Sequence, residues 1–176
     1  MTALVRAGVR AVVAPAALAL AVVACAQPPV SLPSPGSGGD PASATKQLII
    51  GALGSVGLQA VDATKPYRPP EAPGLVGAPR SIVQVELPDD PDHGFIVIYS
   101  LGSAVTAEKA AVDQAAYVAS GTGGIQFPPG SHFVIRTVDT TVIFFTWSPG
   151  ASPDQRTHLI EDALNTIGIG VPVGGG

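Results

Sequence analysis

The sequence contains one cysteine, Cys25, in 176 residues, so the fold has no internal disulfide to stabilise it. Basic residues are also few: nine lysines and arginines stand against 13 aspartates and glutamates, for a net charge of −4. An acidic chain repels phosphate backbones, so we expect no nucleic-acid partner. The apolar stretch at residues 11–23 is shorter than the ~20 residues that a membrane-spanning helix needs.

The chain also lacks the motifs that mark common catalytic and metal sites. It has no G-x-S-x-G nucleophile elbow, and its three histidines do not have the spacing of zinc ligands. The glycine-rich segment at residues 121–124 follows a predicted helix, whereas phosphate loops precede helix N-termini. The acidic segment at residues 89–94 does not match a calcium loop and is typical of a solvated hairpin turn. We therefore expect no metal and no cofactor, and a non-catalytic protein is favoured.

The N-terminal segment has the charge order of a secretory signal. Arg6 and Arg10 precede the apolar stretch, which ends in Val22-Val23-Ala24-Cys25. This tetrad resembles the lipobox of bacterial lipoproteins. The resemblance implies a signal peptide over residues 1–24, cleavage before Cys25, and a diacylglyceryl group on Cys25. It also implies that acyl chains hold the protein to the cell membrane on its extracytoplasmic face. The alternative is an ordinary signal peptide with an incidental cysteine.

Residues 25–42 follow as the lipidated cysteine and a tether that is rich in proline, glycine and serine. The tether has no apolar periodicity and cannot bury enough surface to fold. Loss of the signal peptide leaves seven basic against 13 acidic residues, a net charge of −6. Membrane attachment then depends on the acyl chains, because the chain has no basic patch to bind anionic lipids. We predict one folded domain, at residues 43–176.

The hydrophobic pattern of this domain predicts an α+β fold with the element order α-ββ-α-ββ-α. Three segments have the apolar spacing of one helical stripe, and each is followed by a glycine stop: about residues 43–56, 104–119 and 152–167. The third has Ser152 as its candidate N-cap. Two hairpins are predicted, residues 80–87 with 95–101 and residues 133–138 with 141–147. We expect a four-stranded, largely antiparallel sheet packed with helices.

Two predicted strands, at residues 95–99 and 142–145, are apolar at consecutive positions. A strand with one wet face should alternate, so a continuous apolar run indicates cover on both faces. Either the three helices and a proline-rich crossover at residues 64–79 cover both faces, or one face meets a partner. Because helices often gather on one face of an antiparallel sheet, the second arrangement is favoured. A homodimer is one form that it can take.

The candidate ligand-binding residues are aromatic. Trp147 and Phe145 lie at the end of the most apolar strand, and an indole at a strand exit can be partly wet and contact a ligand. Tyr67 lies in the proline-rich crossover. The leading hypothesis is a membrane-anchored binding or interaction domain, whose protein or small-molecule partner contacts the sheet face or Trp147. The alternatives are an exported hydrolase that uses His132 or His158 with a nearby acid, and a self-associating structural module.

Overall fold

The computed structural model describes residues 39–174, so the predicted signal peptide, Cys25 and most of the predicted tether lie outside the described residues. The described chain contains five helices: α1 (Pro41–Ser55), α2 (Pro73–Val76), α3 (Ala104–Ala119), α4 (Gly121–Gly124) and α5 (Thr157–Leu164). It also contains six strands: β1 (Ala60–Asp62), β2 (Arg80–Val85), β3 (Phe95–Ser100), β4 (His132–Val138), β5 (Thr141–Trp147) and β6 (Ile169–Gly170). None of the described helices has both the length and the apolar composition needed to cross a membrane.

The strands form one antiparallel sheet in the order β1-β2-β3-β5-β4-β6. An α+β fold with an antiparallel sheet is therefore confirmed, but the prediction of four strands is wrong, because the described sheet has six. The four predicted strands form its centre, where β3 pairs with β5 and Ile96 lies opposite Phe145. The two additional strands, β1 and β6, lie at the edges and have three and two residues. Segments this short cannot display the alternation from which a strand is predicted.

Helices α1 and α5 cover one face of the sheet. Ile49 and Leu53 of α1 pack with Ile160 and Leu164 of α5 against the sheet, where Phe145 belongs to the same buried cluster. The first and last of the three predicted helices therefore share one core, and each presents its apolar stripe to the same strands.

The chain leaves both of these helices through a glycine with a positive φ. Gly57 has φ 78°, and the N–H of Leu58 donates to the carbonyl of Leu53 at 3.0 Å, which satisfies a free carbonyl of the last turn. Gly168 has φ 53°, and a Cβ at this position would collide with the carbonyl oxygen of Thr137. Glycine is the residue that meets both requirements at Gly168. The predicted stop at Gly57 is confirmed, whereas α5 ends at Leu164, three residues before the predicted end, and Gly168 lies in the connection to β6.

Helix α3 and the proline-rich crossover cover the opposite face. Ala107 and Ala111 of α3 pack with Phe144 and with Leu75 of α2. The small alanine side chains let the helix approach the sheet closely. Gln114 holds the crossover against α3, because its Oε1 accepts from the Ala72 N–H at 2.6 Å and its Nε2 donates to the Pro70 carbonyl at 3.1 Å.

Both faces of the central strands are therefore covered within the described chain. Phe144 and Phe145 point to opposite faces, and each is 1% exposed. The favoured expectation of one open face is wrong. Both faces are covered because the helices are distributed over the two sides of the sheet: α1 and α5 lie on one side, whereas α3 and the crossover lie on the other.

Helix starts differ from the prediction at both ends of the domain. Helix α1 begins at Pro41, two residues before the predicted start, because Asp40 is its N-cap and accepts from the Ala42 N–H at 3.2 Å. Helix α5 begins at Thr157 rather than near Ser152. The carboxylate of Asp154 accepts from the backbone N–H groups of Arg156 (2.9 Å) and Asp89 (3.3 Å), which fixes a non-helical turn before the helix.

A buried polar contact fixes the direction of α1 across the sheet. The hydroxyl oxygens of Thr45 and Thr141 lie 2.8 Å apart, and the Thr141 hydroxyl also donates to the Val138 carbonyl at 2.7 Å. The first turns of α1 therefore lie at the Thr141 end of β5. Trp147 lies at the other end of the same strand.

Candidate functional site

A cavity of about 260 Å³ lies at the Trp147 end of the sheet. Four segments that are distant in sequence meet there: the crossover, the β2–β3 loop, the α4–β4 loop and the chain after β5. The lining residues are Tyr67, Arg68, Pro69, Pro70, His93, Gln126, Phe127, Pro128, Ser131, Thr146, Trp147, Ser148, Ala151 and Ser152. The antiparallel register explains the assembly, because the start of β4 and the end of β5 pair at His132 and Trp147.

Each of the three aromatic rings of the cavity is supported by another ring. Tyr67 stacks on Phe95 with ring centroids 4.7 Å apart and planes at 15°. Trp147 stacks on His132 at 4.6 Å, and Phe127 contacts Phe133 edge to face at 4.9 Å. Such ring pairs stabilise a fixed orientation beyond the area that they bury. The aromatic wall is therefore held in place before any ligand arrives.

Three hydroxyl groups of the cavity have no partner in the described chain. Within residues 39–174, the hydroxyls of Tyr67, Thr146 and Ser152 form no hydrogen bond. Burial raises the pKa of Tyr67 above its ordinary value, so the phenol keeps its proton and remains a donor at neutral pH. Ser131 and Ser148 donate to the carbonyls of Pro128 (2.7 Å) and Pro129 (3.1 Å), which leaves their oxygens free to accept.

The ionisable groups that line the cavity, apart from the tyrosine, are both bases. Arg68 and His93 are lining residues, and no aspartate or glutamate lines the cavity. His93 Nδ1 is hydrogen-bonded to Asp90 Oδ1, which orients the imidazole. The other carboxylate oxygen of Asp90 is buried and has no partner in the described chain. Asp90 is thus a buried support behind His93 and does not face the cavity.

A buried charge network lies next to the cavity. The carboxylate of Glu71 is 1% exposed and binds two arginines, Arg68 (Nε to Oε2, 3.1 Å) and Arg80. It also accepts from the phenol of Tyr99 at 2.8 Å. Burial and this hydrogen bond raise the pKa of Tyr99 well above its ordinary range. One carboxylate is thus shared by two guanidinium groups.

Of the aromatic residues predicted to bind a ligand, two meet in this cavity and one does not. Tyr67 and Trp147 are 80 positions apart in sequence and line the same cavity. Phe145 is buried in the core beneath α1 and α5, so its ring is not available to a ligand. Cys25 lies outside the described residues. Two further lining residues, His93 and Phe127, were not among the predicted ligand-binding residues: His93 lies in the acidic turn at residues 89–94, and Phe127 lies in the loop between α4 and β4.

The histidines of the hydrolase hypothesis do not contact a nucleophile in the described chain. His132 Nδ1 lies 3.3 Å from Glu161 Oε2, but no serine or threonine hydroxyl of residues 39–174 is hydrogen-bonded to it. His158 is exposed and its Nδ1 contacts the Gln155 carbonyl at 2.6 Å. Asp154 pairs with Arg156 rather than with His158. Nor do any three His, Cys, Asp or Glu side chains of the described residues form a group that could hold a metal ion.

Comparison with known proteins finds no matching family model, no matching curated protein and no matching solved structure.

Proposed function

We propose that this chain is a membrane-anchored extracytoplasmic lipoprotein whose folded domain binds a small ligand, without catalysis, in the cavity between Tyr67 and Trp147. The observation that carries the proposal is the aromatic cavity itself. Its three supported rings and its three unpartnered hydroxyls combine apolar contact area with a few hydrogen-bonding groups, which is the usual composition of a small-molecule site. Acyl chains on Cys25 would hold this domain at the membrane surface.

Three further features support a small ligand bound in the cavity. The apolar faces that a self-associating module would need are covered by helices within residues 39–174. The cavity volume lies just below the ~300–1,000 Å³ of typical ligand pockets, which favours a compact ligand over a drug-sized one. The absence of a hydroxyl bonded to His132 or His158 in the described chain favours binding over hydrolysis.

Trp147 provides a direct test, because it is the only tryptophan in the sequence. Titration of the mature chain with 2-phenylethanol, a neutral probe that does not absorb at the excitation wavelength, should change the intensity and wavelength of Trp147 emission in a saturable way. Ala151 lines the cavity, and Ala151→Phe should fill it and abolish this response.

The matched control is Ala44→Phe, the same substitution on the exposed side of α1. It should leave the titration unchanged, and thermal unfolding should show that both variants remain folded. An identical response in the parent chain and in a folded Ala151→Phe variant would place the probe elsewhere and would refute the cavity as the binding site.

A further inference from the structure

The charge arrangement behind Arg68 leaves an excess of positive charge at the cavity wall. Glu71 carries one negative charge, is buried, and is bound by both Arg68 and Arg80. The side chain of Arg68 is 56% exposed, whereas that of Arg80 is mostly buried. Arg68 is therefore the member of the network whose charge Glu71 only partly compensates and which a ligand can reach.

Some N–H donors of Arg68 form no hydrogen bond within the described residues. Its Nε contacts Glu71 and one terminal nitrogen, Nη2, contacts Glu71 and the Val76 carbonyl at 3.1 Å. Within residues 39–174 the other terminal nitrogen, Nη1, forms no hydrogen bond. A guanidinium has five N–H donors in a planar fork, so within the described residues the two N–H groups of Nη1 remain without a partner.

The other side chains of the wall complement these donors. Tyr67 precedes Arg68 in the chain, and its phenol and the Thr146 hydroxyl are unpartnered donors in the described structure. The carboxylates bound to the two cavity bases, Glu71 and Asp90, have side chains 1% and 5% exposed, and neither lines the cavity. A ligand in the cavity thus meets aromatic faces, free N–H and O–H donors and no carboxylate.

We infer that the ligand is a small amphipathic carboxylate: a compact apolar or aromatic ring that lies against Tyr67 and Trp147, with a carboxylate group bound by Arg68. The inference rests on the proposed function, since it names the class of ligand for the same cavity. Hydrogen bonds from a guanidinium to a carboxylate are charge-assisted and about twice as strong as neutral ones, and the N–H groups of Arg68 Nη1 can donate them. A cationic ligand is disfavoured, because it would face Arg68 with no carboxylate in the lining to offset the repulsion.

Three probes with the same ring and different charge separate the alternatives: phenylacetate, 2-phenylethanol and 2-phenylethylamine. Each is titrated into the mature chain with Trp147 emission as the readout. We expect phenylacetate to bind about tenfold more tightly than 2-phenylethanol, because its carboxylate adds a charge-assisted interaction with Arg68. The amine should bind most weakly. Of the three probes, only phenylacetate should bind more weakly when salt is added, because salt screens its attraction to Arg68.

Variants of Arg68 then test the assignment of the carboxylate site. Arg68→Gln should bring the affinity for phenylacetate down to that for 2-phenylethanol, whereas the affinity for the alcohol should not change. Arg68→Lys keeps the charge but loses the fork, so it should show an intermediate loss. Lys109→Gln removes one positive charge on the exposed side of α3 and should have no effect.

The outcomes distinguish this inference from the proposed function. If 2-phenylethanol binds in the cavity but phenylacetate binds no more tightly, or if Arg68→Gln weakens both probes equally, the carboxylate inference is refuted and the cavity site stands. If none of the three probes changes Trp147 emission, both proposals fall together.

Discussion

The indole N–H of Trp147 donates to the carboxylate of Glu161 across 2.8 Å, which joins the last residue of β5 to helix α5. The same oxygen, Oε2, lies 3.3 Å from Nδ1 of His132, whose ring stacks on the indole. The tryptophan is therefore held both by its edge and by one of its faces. A ring fixed in this way loses little conformational freedom when a ligand binds against it.

Replacement of Glu161 tests this support. Glu161→Ala should cost about 1 kcal/mol of stability through the lost hydrogen bond. It should also shift Trp147 emission and weaken binding of 2-phenylethanol, because the indole is no longer fixed. Glu161→Gln keeps an acceptor of the same length and should retain most of the affinity. Equal emission spectra and affinities in the parent chain and the alanine variant would show that Glu161 does not position the indole.

Because both faces of the sheet are covered, truncation of either of the neighbouring phenylalanines should cause a similar loss of stability. Phe144→Ala and Phe145→Ala should each destabilise the domain by ~3–5 kcal/mol, as truncations of buried phenylalanine do. Neither substitution should alter the sedimentation of the folded protein. Denaturant midpoints and sedimentation velocity measure both properties. A small cost for one of the pair together with a change in association would indicate that its face meets a partner.

Asp154 predicts a specific dependence of stability on pH. The hydrogen bonds from the Arg156 side chain are the largest cause that holds the pKa of Asp154 well below its ordinary value. A depressed folded-state pKa stabilises the fold above the unfolded-state pKa of ~3.9, and this stabilisation is lost as the pH falls below ~4. Asp154→Asn should therefore cost roughly 1–3 kcal/mol at pH 7, and the difference from the parent should shrink at pH 3.

The control for this measurement is Asp139→Asn. Asp139 is exposed and has φ 46°, a conformation that asparagine also tolerates. Its substitution should change the free energy of unfolding by less than ~0.5 kcal/mol at either pH. A difference between parent and Asp154→Asn that is constant from pH 7 to pH 3 would contradict the assignment to this carboxylate.

The N-cap of α1 predicts where the domain can be shortened. A chain that begins at residue 39 should unfold at the same denaturant concentration as one that begins at residue 26, because the tether has no apolar periodicity. A chain that begins at Ser43 loses the Asp40 cap and the buried Ala42, so it should be less stable by roughly 1–2 kcal/mol. A large loss in the chain that begins at residue 39 would show that the tether contributes to the fold.

Cys25→Ser predicts loss of membrane attachment. Under the proposed function, the tetrad at residues 22–25 is a lipobox whose acylated residue is Cys25, and the sequence contains no other cysteine. The variant should therefore fail to incorporate a tagged fatty acid and should move from the membrane to the soluble fraction. Labelling that persists in the serine variant would rule out the lipobox assignment.

The central strands and α3 were predictable from sequence, because their patterns are long and regular. The apolar runs at residues 95–99 and 142–145 indicated cover on both faces, and the alanine-rich stripe gave the bounds of α3. The edge strands were not predictable, since three and two residues carry no period. The predicted start of α5 near Ser152 was wrong because the carboxylate of Asp154 accepts from the backbone N–H of Asp89, 65 positions away. That long-range contact outweighs the local N-cap signal of Ser152.

The cavity was predictable only in part. Tyr67 and Trp147 had recognisable signals, an aromatic ring in a proline-rich segment and an indole at a strand exit. That they meet depends on the order of the strands and on the path of the crossover, which no local pattern encodes. Phe145 shares a face with Trp147 by strand alternation, yet α1 and α5 bury Phe145. The difference arises from where the helices lie on the sheet.

The contact between Thr45 and Thr141 places the start of α1 and the Trp147 cavity at opposite ends of β5. The seven residues of β5 rise by ~3.4 Å each, so Thr141 and Trp147 lie about 20 Å apart. Helix α1 contacts the strand at Thr141 through Thr45, and the cavity lies at Trp147. The described chain therefore joins the domain at the end of β5 that is remote from the cavity. A ligand bound beside Trp147 accordingly has no contact with the first turn of α1, where the predicted tether ends.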